Sequence, residues 1–182
     1  MSAGPQEAIL ASLARGLTDH GSWSGETHIQ KATYILHDLF GVPFDFDFIL
    51  YKHGPFSFEL RDTLSSMRID GLLERQPQPG GYGPRILASP AGVGLQQTYP
   101  RTMNRWNAAV EWIAERLGNL DVNELERLAT ALWVTRERPE DSVNERAEAL
   151  TSVKPHIPRE SAVRAVGRID QLIEEAGALA VH

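Results

Sequence analysis

The chain has 182 residues, 42% hydrophobic and 23% charged, the balance of an ordinary globular protein with enough apolar mass to bury a core. It contains no cysteine, which excludes a disulfide framework, a thiolate zinc site and a thiol nucleophile. The net charge is −6, with 7 basic against 10 acidic residues in 1–100 and 11 against 14 in 101–182, so no basic balance points to a phosphate backbone as the main partner.

Pro5 to about Leu17 is expected as a first helix, with Pro in its first turn and Ile9, Leu10, Leu13 and Leu17 at helical spacing. Gly21-Ser22-Trp23-Ser24-Gly25 follows as a loop in which Trp23 is an exposed anchor. A second helix begins near Ser24 or Thr27, either serving as N-cap, and buries Ile29, Ala32, Ile35, Leu36 and Leu39 before Gly41 and Pro43 stop it. The period then changes to alternation: Phe44, Phe46, Phe48 and Leu50 are separated by Asp45, Asp47 and Ile49, which predicts a strand. Gly54-Pro55 is expected to turn that strand into a third helix. Ser57 caps it, Leu60, Leu64 and Met67 face inward, and Gly71 ends it. Leu72–Arg75 and Arg85–Ala88 pair as a hairpin whose tip is the turn-rich segment Pro77–Pro84.

Helices followed by a hairpin give the element order of a winged helix, with Ser57–Asp70 as recognition helix and residues 76–84 as wing. The strand near Phe46–Leu50 would complete a three-stranded sheet. After the short connection Ala91–Arg101, the chain reads as helical throughout from about Thr102, with apolar stripes along Trp106–Leu117, Leu125–Leu132 and Val166–Ile173. Asp121 caps the middle helix, and Pro139, Pro155 and Pro158 separate the later ones. The expected fold is α+β and mostly α. A winged-helix-like N-terminal module with a small antiparallel sheet, residues 1–100, packs against a C-terminal helical bundle, residues 101–182.

The apolar runs are far shorter than the roughly 20 residues that span a bilayer. MSAGPQEAIL, residues 1–10, lacks the basic start and apolar stretch of a secretory signal, so a cytoplasmic protein with no membrane partner is expected. There is no Gly-Lys-Ser/Thr phosphate loop and no Gly-x-Ser-x-Gly elbow, and Gly92-Val93-Gly94 lacks the third glycine of a dinucleotide fingerprint. His20, His28, His37, His53, His156 and His182 never pair at the spacing of a zinc-binding helix, and Glu26-x-His28 is only a fragment of a ligand set. The chain is therefore read as a protein without catalytic residues, cofactor or metal.

The most distinctive segment is Leu50–Ser57, LYKHGPFS. Its turn can hold Tyr51 and His53 at a surface used by a partner or ligand. The plainer reading, which we favour, gives Gly54-Pro55 a purely conformational role. Gln30 and Lys31 lie beside the apolar face of the second helix, placed for buried or interfacial hydrogen bonds. For Lys31 the favoured reading is a stem laid over the core edge with its ammonium in water. A DNA-reading alternative would use Arg61 and Arg68 with Ser65 and Ser66 on the third helix, and Arg75 and Arg85 on the wing. Glu59, Asp62 and Asp70 leave Ser57–Asp70 at a net charge of −1, which weakens that alternative.

GETHIQKATYIL (residues 25–36), FDFILYKHGPFSFEL (46–60) and IDGLLE (69–74) resemble the signature of the YwgA-like bacterial and archaeal proteins. LERLATALWVT (125–135) and SVKPHIP (152–158) are similar to the helical second part of the same family. The layout is more distantly similar to the Panacea antitoxin-type domain, which implies neutralising a toxin by direct protein binding, or an adaptor role. The resemblance implies that Gln30, Lys31, Tyr51, His53, Gly54, Pro55 and Ser57, with Lys154, Pro155 and His156, serve a partner. The functional expectation is a non-catalytic regulatory protein-interaction module, antitoxin-like or adaptor-like. The alternative is a winged-helix DNA-binding regulator, dimeric through its C-terminal helices.

Overall fold

In the computed structural model, residues 3–23, 25–81 and 83–180 are described. Helix α1 (Pro5–Asp19) opens on Pro5, and the Gly4 N–H donates to Glu7 Oε2. Helix α2 (Glu26–Phe40) has Gly25 as its N-cap, so Thr27 lies inside the helix; Ser24, the other expected cap, lies outside the described residues. Gly41, at φ 66°, ends α2 in the left-handed conformation that a side chain resists.

The expected strand over Phe44–Leu50 is shorter than predicted. Phe44 and Phe46 are buried and Asp45 and Asp47 exposed, as the alternation requires, but the ladder covers only β1 (Ile49–Tyr51). Alternation records which side of an extended chain meets the core, and it does not require a neighbouring strand. The partner of β1 is β2 (Gly54–Phe56), with Ile49 opposite Phe56 and Tyr51 opposite Gly54. Two expectations are thereby corrected: the chain reverses at Lys52-His53, and Gly54-Pro55 is itself in a strand.

Ser57 caps α3 (Phe58–Ile69) as expected, its Oγ accepting from the Leu60 N–H. Strands β3 (Leu73–Gln76) and β4 (Arg85–Ala88) form the expected hairpin, with Leu73 opposite Ala88 and Gln76 opposite Arg85. They make a sheet of their own, so β1 does not complete a three-stranded one. Helix α4 (Pro90–Thr98) occupies the segment expected to be a connection. Its start signals are Ser89, whose Oγ accepts from the Gly92 N–H, and Pro90 at the first helical position. Gly92 masked the helix, and it is there for contact: a Cβ on it would lie 2.1 Å from the Leu72 carbonyl oxygen.

Helices α5 (Pro100–Leu117), α6 (Val122–Glu137), α7 (Val143–Val153) and α8 (Arg159–Ala180) follow. Among the described residues the architecture is a mostly helical α+β fold with two small antiparallel sheets. Helix α1 packs on α4 and α5, α2 on α5 and α6, and α6, α7 and α8 on one another. A single apolar cluster runs from Leu10, Leu13 and Leu17 through Ile35 to Ile113, Leu132 and Ile169. Among the described residues no helix is long and apolar enough to cross a membrane. The β1–β2 hairpin sits where α2, α6 and the α7–α8 turn meet, and its second strand lies against both α2 and α6.

Candidate functional site

Helix α2 holds the β1–β2 hairpin with two neighbouring side chains. The Gln30 amide lies beside the backbone of Ser57 as a strand would, donating from Nε2 to the Ser57 oxygen at 2.8 Å and accepting the Ser57 N–H at 3.0 Å. Lys31 donates from Nζ to the Pro55 oxygen at 2.8 Å. The expected snorkelling position of Lys31 is corrected, because the residue is only 1% exposed. Gly54 and Pro55 turn a carbonyl inward to meet the ammonium, and that hydrogen bond replaces the water a lysine otherwise seeks. Burial lowers its pKa from 10.5 to about 8, opposed by the attraction of Glu126 and aided by the repulsion of Lys154.

Lys154, the C-cap residue of α7, reaches the hairpin from the other side. It donates to the Tyr51 carbonyl at 2.7 Å and to the Lys52 carbonyl, and burial lowers its pKa as well. Both lysines thus donate to carbonyls of the hairpin. Between them stands Glu126 of α6, with a side chain 6% exposed and its Oε1 3.9 Å from Lys154 Nζ. His53 Nδ1 lies 3.6 Å from Glu126 Oε2, and His156 Nε2 3.5 Å from Oε1. Both imidazoles are largely in solvent, at 73% and 64% exposed, so they form a lid over a buried carboxylate. Thr130, one turn along α6, donates to the Glu126 carbonyl at 2.7 Å and packs its hydroxyl against Gly54.

No family model matches this chain, and no curated protein matches it. The geometry alone therefore carries the functional reading. All seven residues singled out as a partner or ligand surface, Gln30, Lys31, Tyr51, His53, Ser57, Lys154 and His156, converge on one node. The residue at its centre, Glu126, was missed. Its signal is present in the sequence: it follows Leu125 in the apolar stripe LERLATAL, where a carboxylate on the inner edge of a helix must find partners. As chemistry the node is a clamp. Among the described residues no three of His, Asp and Glu are placed to hold a metal ion.

The clamp fixes the outer face of the hairpin, which is apolar. Ile49 and Tyr51 are each 44% exposed and Phe58, at the start of α3, 39%. The rings of Tyr51, Phe56 and Phe58 form a triangle with centroids 5.1–5.8 Å apart. The Arg61 guanidinium lies 5.0 Å above Phe58 and pairs with Asp62 at 3.0 Å. Asp47 and Glu59 are also exposed beside this patch.

The four arginines considered for DNA do not form one surface. Arg61 belongs to the aromatic patch. Arg68 donates to Ser65 Oγ on its own helix and, with the exposed Arg75, lines a separate cleft. Arg85 is half-buried and donates to the Ser22 carbonyl at 3.1 Å. Of the remaining histidines, His20 meets Glu111, His28 the Leu120 carbonyl and His37 the Val42 carbonyl; His182 lies outside the described residues.

Proposed function

We propose that this protein is a non-catalytic protein-interaction module whose docking face is the aromatic patch of Ile49, Tyr51 and Phe58. The observation that carries the reading is the pairing of that exposed patch with the buried clamp beneath it. Two lysines, a glutamine and a carboxylate are committed to holding a two-residue turn and two short strands, more than a loop with no duty at its surface needs. Tyr, Phe and Arg are the residue types that anchor protein interfaces, and three rings held by their own packing lose little entropy on docking. The neighbouring carboxylates of Asp47, Glu59 and Asp62 fit a partner segment with an apolar anchor flanked by lysine or arginine. An antitoxin-like or adaptor-like task, as the family resemblance implies, is compatible with such a face. Arg61 and Arg85 stand apart from the cleft that Arg68 and Arg75 share, and this division of the four arginines supports this reading over the DNA-binding alternative.

The test is a photo-crosslinking amino acid placed at Ile49 in the protein's native cell, with Glu174 on α8 as a control position. An adduct with a second protein, formed from position 49 only and lost in the Tyr51→Ser/Phe58→Ser double variant, is expected. No adduct beyond the control, with salt-sensitive retention on duplex DNA instead, would return the DNA-binding alternative to first place.

A further inference from the structure

On another part of the surface, α3 and the β3–β4 hairpin enclose a cleft of about 660 Å³ against the first turns of α2 and α6, within the size range of small-ligand sites. Trp23, Ile86 and Val122 supply apolar wall, and Trp23 is 61% exposed. Arg68 and Arg75 supply two guanidiniums from different elements; Arg68 donates to Ser65 Oγ, and among the described residues neither meets a carboxylate within ion-pair distance. Gln78 adds a buried side-chain oxygen with no hydrogen-bond partner, while its nitrogen donates to the Trp23 carbonyl. The first turn of α2 opens on the same space. Its N-cap is Gly25, which offers no side-chain acceptor, and its first backbone bond is the Ile29 N–H to the Gly25 oxygen.

These groups have complementary needs. Two guanidiniums without a carboxylate partner call for a planar anion. Apolar walls call for a hydrocarbon side chain, and an orphaned buried acceptor calls for an N–H donor. Glu26 and Asp121 also line the cleft and bring the formal charge of its side chains to zero, which penalises phosphate, carrying nearly two charges, more than a singly charged carboxylate. We propose that the cleft binds the carboxylate of an N-acylated apolar amino acid. The carboxylate lies between Arg68 and Arg75, the side chain on Trp23 and Ile86, and the amide N–H toward Gln78 Oε1. A free N-acyl amino acid and the C-terminal residue of a peptide share this chemistry. The cleft uses no residue of the aromatic patch, so the two proposals stand or fall separately.

Isothermal titration calorimetry on the full chain tests the proposal with four probes: an acetylated tripeptide ending in leucine, the same tripeptide as its C-terminal amide, N-acetylleucine and inorganic phosphate. Saturable binding of at least one free acid is expected, with the amide at least tenfold weaker and phosphate unable to compete. Arg75→Gln, at an exposed position that spares the fold, is expected to weaken the acid at least tenfold and leave any residual amide binding unchanged. Binding of the tripeptide alone identifies a peptide C-terminus as the source, and equal binding of N-acetylleucine identifies the free acid. Failure of both acids to bind overturns the proposal. So does equal affinity for acid and amide, or acid binding that is insensitive to both Arg75→Gln and Arg68→Gln.

Discussion

Lys31 places an ammonium among apolar helices, and the cost of doing so depends on pH. Its folded-state pKa is about 8, against 10.5 for a free lysine. Between those values the unfolded chain holds a proton that the folded chain has released, so stability rises with pH across that window. The full effect is on the order of 3 kcal/mol, present as a penalty below pH 8 and relieved toward pH 10. Lys154, lowered by the same burial, acts in the same direction. Above pH 10 the trend reverses, because burial raises the Tyr34 pKa and holds its hydroxyl protonated while the unfolded chain ionises it. Denaturant titrations at pH 7, 8, 9 and 10 are expected to show a rising midpoint in the native chain and a flatter profile in Lys31→Met. A midpoint that falls from pH 8 to 10 in the native chain contradicts this account. The chemistry at residues 30 and 31 was legible in the sequence, but their depth was not. Periodicity shows that a polar residue borders an apolar face; it cannot show that a carbonyl from 24 residues downstream arrives to receive it.

The β1–β2 hairpin depends as an element on Gly54, which combines φ 86° with close approach to α6. A Cβ there would stand 2.8 Å from Thr130 Oγ1, whose hydroxyl is already bonded to the Glu126 carbonyl and cannot swing away. Gly54→Ala is expected to lose about 2–4 kcal/mol, from left-handed strain together with overpacking. Gly41→Ala, with φ 66° and nothing within 4 Å of the added methyl, carries strain alone and is expected to lose about 1 kcal/mol. Thermal or urea unfolding of the two variants measures the difference, and equal losses would show that the contact with Thr130 is slack. Most helices were legible from apolar spacing and caps, as α3 with Ser57 and α6 with Asp121 illustrate. The strands were less so, because a three-residue ladder is too short for a period to register. Helix α4 was hidden by glycines: Gly92 reads as a loop until the Leu72 carbonyl pressed against it is seen.

The whole molecule buries helices from each half of the sequence against helices from the other. Gly16 of α1 lies so near α5 that a Cβ would stand 2.8 Å from Ala114 Cβ, and Leu10, Leu13 and Leu17 are fully buried in the shared cluster. A fragment of residues 1–100 would leave the α5-facing side of α1 in water, so it is expected to show no cooperative unfolding transition. The full chain is expected to unfold in one step, coincident by circular dichroism and tryptophan fluorescence. A fragment that melts cooperatively on its own would make residues 1–100 an independent domain. The Gln30–Ser57 pairing also has a bearing on how distant relatives can be recognised. A carboxamide that gives and takes a hydrogen bond on the backbone of one residue has no substitute among the charged residues, and asparagine is a methylene too short. Gln-Lys followed, with 22 residues between, by Gly-Pro-x-Ser is therefore a spelling imposed by shape, and it should survive in relatives whose remaining residues have drifted beyond comparison.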